Sequence, residues 1–321
     1  MSWNTELISI RSMPEVDIKK LRPPRNKVDP EIPYHFLQEE EPGEDGKLQK
    51  VNTIFLTGKE CAFKCLMCDL WKNTLTFPTP PGAILKQIDY ALSRLPDADV
   101  IKLYNSSNFF DTKAIPSSDY AGIIDRVRHF KKVVVENHPK LCMQSCVDFN
   151  KQLDGKLEMA LGLESIHPNV LPKLNKSLNI EDFQKATTFL KRNKIRMRAF
   201  VLLNPPFLVD EKENIEWAVR TVAFAFECGV GICSVIPTRV GNGIMEVLQK
   251  RGDYVTPKLN ALEEVLARSL ALHQGKVFAD TWDIRFLSGC DQCFDARKNR
   301  LEQMNLTQKV VEKIKCNCAQ S

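Results

Sequence analysis

The chain has no long apolar run. Its most hydrophobic stretch, Ala218–Pro237, is broken by Arg220 and Glu227, short of the ~18 apolar residues a membrane-spanning helix needs, so no membrane partner or span is expected. The opening MSWNTELISI lacks a basic segment followed by an unbroken apolar one, which argues against a secretory signal. Charge is nearly balanced: Lys+Arg 45 against Asp+Glu 40 leaves +5 over 321 residues. That excess is too thin to argue for a nucleic-acid partner and no obstacle to one. With 43% hydrophobic and 26% charged residues the composition is that of a globular protein, which excludes disordered and fibrous classes. The length allows one large domain or two ordinary ones.

What the chain has in quantity is cysteine, eleven residues. An odd total in a long chain without a secretory signal reads as metal ligands or reactive thiols rather than disulfides, and as a cytoplasmic protein. Residues 1–50 are rich in Pro, Glu and Lys, with an acidic segment ending at Asp45. Too poor in apolar residues for a core, they read as an N-terminal arm on the surface of the main fold. From Val51 onward short apolar runs alternate with longer amphipathic ones. Val51–Leu56, Asp99–Tyr104, Lys132–Glu136, Lys156–Leu163, Ile195–Leu203 and Val230–Ile236 read as strands, and Ala83–Arg94, Tyr120–Phe130, Glu181–Asn193, Lys212–Cys228 and Lys258–His273 as helices. Strand then helix, repeated six times, predicts an α/β fold with a parallel sheet, either doubly wound or rolled into a full or partial βα barrel. Ligands then sit beyond the carboxyl ends of the strands.

Cysteines occupy that position. Cys61-Ala62-Phe63-Lys64-Cys65-Leu66-Met67-Cys68 reads C-x3-C-x2-C directly after the first strand. Three thiolates within eight residues can wrap one small metal cluster and leave a metal position open; a structural zinc would want a fourth ligand, and no histidine lies nearby. The pattern resembles the cysteine motif of the radical S-adenosylmethionine (SAM) superfamily. That resemblance implies a partial (β/α)6 TIM-like barrel over residues 51–275, with a small cysteine-rich C-terminal extension over 276–321. It implies a 4Fe-4S cluster on Cys61, Cys65 and Cys68 whose fourth iron is chelated by SAM. Reductive cleavage of SAM then yields a 5′-deoxyadenosyl radical that takes hydrogen from the substrate, fed by a one-electron donor of flavodoxin or ferredoxin type. A non-catalytic zinc-binding interaction protein is the alternative of another class.

The same resemblance places further cofactor-binding residues. Met67, where many members have an aromatic, meets the adenine of SAM. Asn105, Ser106 and Ser107 replace the usual Gly-Gly-Glu at the methionine amino group. Glu164 and Ser165 stand at the ribose or methionine end, and Glu136 closes the third strand as a weaker candidate. The residue that exchanges hydrogen with the substrate is not assigned.

The segments LYNSSNFFD (Leu103–Asp111), VVVENHP (Val133–Pro139), GLESIHPNVLPKLNKSL (Gly162–Leu178) and LLNPPFLVDEKENIEWA (Leu202–Ala218) are similar to the archaeosine-forming, elongator-like branch of that superfamily. Enzymes of that branch act after a partner has attached lysine to a 7-cyano-7-deazaguanine base in tRNA, and cleave a C–N bond. The implied substrate is tRNA-linked, with a free small molecule or peptide as the alternative. The chain departs from the branch at Asn204, where the branch has Lys, and at Tyr254–Pro257, where it has an aromatic-rich segment. Near the end, Cys290 and Cys293 with Cys316 and Cys318 make a four-thiolate set, zinc by default, with free thiols or an auxiliary iron–sulfur cluster as alternatives. Zinc there would staple the last ~30 residues to the barrel. Cys142 and Cys146, one helical turn apart, and Cys228 and Cys233 read as core. Arg297, Lys298 and Arg300 read as a solvated helix face.

Overall fold

One curled sheet of eight strands organises the chain. The computed structural model describes residues 15–320; the first fourteen residues of the expected arm, and Ser321, lie outside the described residues. The strands are β1 (His35–Pro42), β2 (Leu48–Phe55), β3 (Val100–Tyr104), β4 (Lys132–Asn137), β5 (Lys156–Glu164), β6 (Arg196–Leu203), β7 (Ile232–Pro237) and β8 (Lys276–Ala279). They lie side by side in chain order, β1 antiparallel to β2 and every other pair parallel. The helices are α1 (Glu15–Lys20), α2 (Ala83–Leu92), α3 (Tyr120–Val127), α4 (Gln144–Asn150), α5 (Ile180–Arg192), α6 (Glu211–Glu227), α7 (Ile244–Lys250), α8 (Leu259–Leu270) and α9 (Asp291–Thr307). This is the partial TIM-like barrel the motif implied, with all six expected strands present as β2–β7. Among the described residues no helix is long and apolar enough to cross a membrane.

Side-chain alternation explains the curl and its two faces. Val133 and Val135 of β4 point out to the helices, as do Ile54 and Leu56, Ile101 and Leu103, and Leu157, Met159 and Leu161, none of them exposed. With a period of two, the residues between them face the lumen. These include Val51, Val100, Val134 and Ala160, packed with Tyr104 and Phe200. Helix starts are encoded locally. Asn179 and Asp182 close a capping box at the start of α5, and the Asp210 carboxylate accepts the Glu213 N–H (2.9 Å) at the start of α6.

Two expectations are corrected at the sheet's edges. Residues 35–42 are not a surface arm but β1, because its glutamates enter the lumen. Glu41 accepts two bonds from the Arg198 guanidinium (2.8 and 2.7 Å) and one from Lys102 (2.6 Å). Arg198 also reaches Glu158 (2.9 Å), which takes Lys132 at 3.2 Å, while Lys102 reaches Glu39 (2.8 Å). Burial alone would raise the Glu41 pKa, but Arg198 and Lys102 hold it well below the usual carboxylate range. An ionic floor thus seals the amino-terminal end of the lumen.

The second correction lies at β8, a four-residue strand beyond the six expected. Its free edge is satisfied by side chains of α9. The Asn305 amide pairs with both backbone groups of Ala279 (2.8 and 2.8 Å), and the Gln308 amide with both of Val277 (2.8 and 2.9 Å). Lys276 bridges to the other edge through the carbonyls of Pro42 (2.7 Å) and Gly43 (2.6 Å). Nor is the basic stretch of α9 a solvated face. Arg300 is buried, donating to the carbonyls of Val311 and Glu312 and pairing with Glu263 (3.0 Å), which also takes Arg297; only Lys298 is exposed, beside Glu302.

Candidate cluster and cofactor site

The loop after β2 carries Cys61, Cys65 and Cys68 across the carboxyl-terminal mouth of the barrel, and it is tied down from four directions. Leu66 N–H bonds to Leu174 O (3.0 Å), and the Asn175 amide donates to Lys64 O (2.8 Å). From the far side the Asn242 amide donates to Leu66 O (2.7 Å) and Cys68 O (3.1 Å), and the Trp71 indole donates to Cys68 O (3.1 Å). Glu60, one residue before the first cysteine, is clamped by Arg22 (2.8 Å), Lys64 (2.8 Å) and Arg25. Burial would raise its pKa, but these cations bring it down to about 2. The chain before β1 therefore serves the site: Ile18 packs with Leu66, Met245 and Tyr254, and Arg22 lies over the Trp71 ring (4.5 Å). Gly243, at φ +92°, is required there, since a Cβ would lie 1.8 Å from Leu21 O.

Burial raises the thiol pKa of all three cysteines, to about 11 at Cys65 and further at Cys68. The Asn108 amide donates to Cys61 Sγ (3.2 Å), and its oxygen accepts the His138 N–H (2.7 Å). The His138 ring stacks on Phe63 at 3.7 Å and bonds through Nε2 to Lys176 O (3.0 Å). Among the described residues, only the C-terminal cysteines bring three or more ligand atoms within 4.8 Å of one another. A single tetrahedral zinc sets its sulfurs about 3.8 Å apart, given Zn–S near 2.3 Å. Cys61, Cys65 and Cys68 do not all fall within that 4.8 Å spacing.

The groups expected around SAM gather at the same mouth. Asn105 is fully buried with neither amide atom partnered, and Ser107 Oγ and Asn204 Oδ1 are likewise buried without partners among the described residues. Such orphans are costly unless a ligand satisfies them, so these residues fit a polar cofactor. Ser106, in contrast, is already bonded to Tyr34 OH (2.7 Å), and Ser165 Oγ accepts the His167 N–H (3.1 Å). Glu164, in the left-handed region at φ 68° beside a strand bulge, accepts from Lys176 Nζ (2.7 Å). Gly162 leaves room for that pair, since a Cβ there would lie 2.3 Å from the carboxylate and 2.5 Å from the ammonium. Met67 lies half-buried between two apolar clusters, against Tyr254 on one side and Leu202 on the other. Tyr34, Asn108, Asn175, Lys176 and Asn242 were not singled out from the sequence. Asn108, Asn175 and Lys176 stand inside the motif segments; Tyr34 and Asn242 carry no sequence signal.

Glu136 shapes the segment rather than standing free, because its carboxylate takes the Asn105 N–H (2.6 Å) and those of Ser106 and Ser107. Burial outweighs these bonds and raises it to about 7. A carboxyl raised on folding contributes stability that is complete below about pH 4.5 and lost as pH rises through about 7. Melting temperatures measured across that window should fall with rising pH, and Glu136→Gln should flatten the fall.

The four C-terminal cysteines converge around the first turn of α9, with Cys290 Sγ 4.0 Å from Cys316 Sγ and Cys293 Sγ 3.2 Å from Cys318 Sγ. The Cys293 N–H and the Cys318 thiol bring Cys290 down to about 7, while Cys316 and Cys293 push Cys318 up to about 12. Cys142 and Cys146 do not share a helix: Cys142 follows a 3-10 turn, and only Cys146 lies in α4, fully buried. Cys233 is buried in β7, and Cys228 caps α6 half-buried.

No family model matches the chain. It is 25% identical over 329 residues to an uncharacterised protein of Methanocaldococcus jannaschii, covering 94% of this chain and 90% of that one. It is 23% identical over 248 residues to archaeosine synthase subunit beta of Methanosarcina acetivorans, covering 71% of this chain and 69% of that one. Among solved structures it is similar to Elp3 of Methanocaldococcus infernus, at 17% identity and a TM-score of 0.52 over 68% of this chain and 59% of that one. The chain therefore has the partial-barrel fold of the radical SAM enzymes.

Proposed function

We propose that the chain is a radical SAM enzyme whose cluster is held by Cys61, Cys65 and Cys68. The observation that carries this reading is the meeting of those thiols with the unpartnered Asn105, Ser107 and Asn204 at one barrel mouth. When bound, the 4Fe-4S cluster and SAM supply the one-electron cleavage that makes the hydrogen-abstracting radical. The chain's own residues do the rest. Three cysteines leave one metal position to a ligand that is not protein. Glu136 orders the backbone of Asn105–Ser107, the orphaned amides and hydroxyl supply hydrogen bonds for a polar cofactor, and the Glu164–Lys176 pair presents balanced charge beside Cys61 and Cys65. The similarity to archaeosine synthase subunit beta favours a tRNA-linked 7-deazaguanine base and lyase-type C–N cleavage, with reduction by a flavodoxin or ferredoxin type donor.

The test is anaerobic reconstitution with iron and sulfide, followed by dithionite and SAM. Formation of 5′-deoxyadenosine is expected. Zinc as the sole metal, no visible charge-transfer absorbance and no product would overturn the reading in favour of a non-catalytic zinc protein. Product formed with a free small molecule and no RNA would move the substrate away from tRNA.

We also propose zinc on Cys290, Cys293, Cys316 and Cys318, whose sulfurs already approach tetrahedral spacing. Metal analysis of Cys293→Ser should show one zinc equivalent lost, with a melting temperature lower by roughly 5 °C, because the return of the chain along α9 is then unstapled.

A further inference from the structure

Phe55, Tyr104 and Phe200 face the lumen and are only partly buried, whereas the outward neighbours Ile54, Leu103, Ala199 and Val201 have no exposure. Their rings meet edge to face: Trp282 to Phe55 at 6.1 Å and 65°, Phe55 to Tyr104 at 6.1 Å and 64°, and Tyr104 to Phe200 at 6.2 Å and 79°. Trp282, 51% exposed, stands at the rim with its ring edge-on to His35 at 5.1 Å. The exposed Trp282 indole offers a face on which a flat heterocycle can stack.

One polar group stands beside these rings. Asp280 continues the inward alternation of Lys276 and Phe278, and its Oδ1 accepts the Trp282 N–H (2.9 Å). Among the described residues no Lys or Arg forms an ion pair with it, and burial raises its pKa against the lowering effects of the Trp282 backbone N–H, Arg239 and Lys102. A carboxylate left with spare acceptor capacity beside an exposed indole is complementary to two adjacent N–H donors on a ring edge. Among the standard bases guanine alone offers that pair, through its ring N–H and exocyclic amine.

We propose that Asp280 is a specificity-determining residue that reads the donor edge of a guanine-type base stacked on the exposed face of Trp282. This rests on the reading that the lumen takes the substrate, and it assigns the recognition to the β8 side, across the barrel from the cysteine loop. The recognition resembles that of enzymes that draw a base out of its stack and read its pairing edge.

The test is calorimetric titration of the full-length protein, without added SAM, with guanosine, inosine and adenosine. Guanosine should bind about tenfold or more tighter than inosine, which lacks the amine, and than adenosine, which lacks the donor pair. Asp280→Asn should bring the guanosine-to-inosine ratio close to one. Trp282→Ala, at an exposed position, should weaken all three nucleosides and leave the ratio intact. Equal binding of the three by the wild type, no binding at millimolar concentration, or a preference that survives in Asp280→Asn would overturn the proposal. Deoxyadenosine formation by reconstituted wild type, run in parallel, separates the two levels. Product without a guanosine preference defeats this inference alone, and absence of product defeats the reading beneath it.

Discussion

Cys65→Ala is expected to abolish SAM cleavage, with a loss on the order of 1000-fold or more in 5′-deoxyadenosine formation, equivalent to about 4 kcal/mol. The loop is fixed by backbone bonds from Leu174, Asn175, Asn242 and Trp71, so removing one sulfur leaves the remaining two where they are. The Glu164 carboxylate, which acts on the Cys65 thiol, is already held by Lys176 (2.7 Å) and makes a poor substitute for the lost ligand. Visible absorbance after reconstitution should fall together with activity. Cys228→Ala is the control, a half-buried cap of α6 whose loss should change neither. Equal product from Cys65→Ala and wild type would show that the cluster is held elsewhere.

Arg198→Met should be the most damaging substitution away from the mouth, costing about 3–5 kcal/mol by urea unfolding. Among the described residues Arg198 is the only cation ion-paired with both Glu41 and Glu158, and it is buried with both. Methionine fills comparable volume but leaves two carboxylates in the lumen, with Lys102 and Lys132 supporting one each. The pH dependence identifies the cause. Both carboxyls are held below their ordinary 4.5, so the stability they contribute is present above about pH 4.5 and lost as pH falls through their folded values. The gap between mutant and wild type should therefore narrow in acid. Adding Glu158→Gln to Arg198→Met should recover part of the loss at neutral pH, and a gap independent of pH would point to packing alone.

The cysteine loop was readable because its three cysteines lie within eight residues of one another, and the central strands because each alternates cleanly against a helix. β1 was hidden by its own charge. Its glutamates look solvated in the sequence, and nothing local reveals that Arg198, 157 residues away, pairs with one of them. β8 was hidden by its length, four residues with one turn signal on either side. The same non-locality hid Asn242, which reaches Leu66 across 176 residues. Lys176 was less hidden. It stood inside a segment whose likeness to the archaeosine-forming branch was plain, but a lysine in a polar loop gives no sign that it is buried beside a carboxylate until the bulge at Gly162–Glu164 brings them together.

The amides of Asn305 and Gln308 make α9 stand in for a ninth strand, and this bears on how the chain is made. During synthesis β8 keeps an open row of N–H and C=O groups until residue 308 has followed. Over that interval the edge can template on another copy of the same edge, the usual start of intermolecular sheet growth. Truncations that stop between Ala279 and Asn305 would leave it open permanently. Their failure would then be aggregation during expression, which would be easily mistaken for a catalytic requirement for the terminal cysteines.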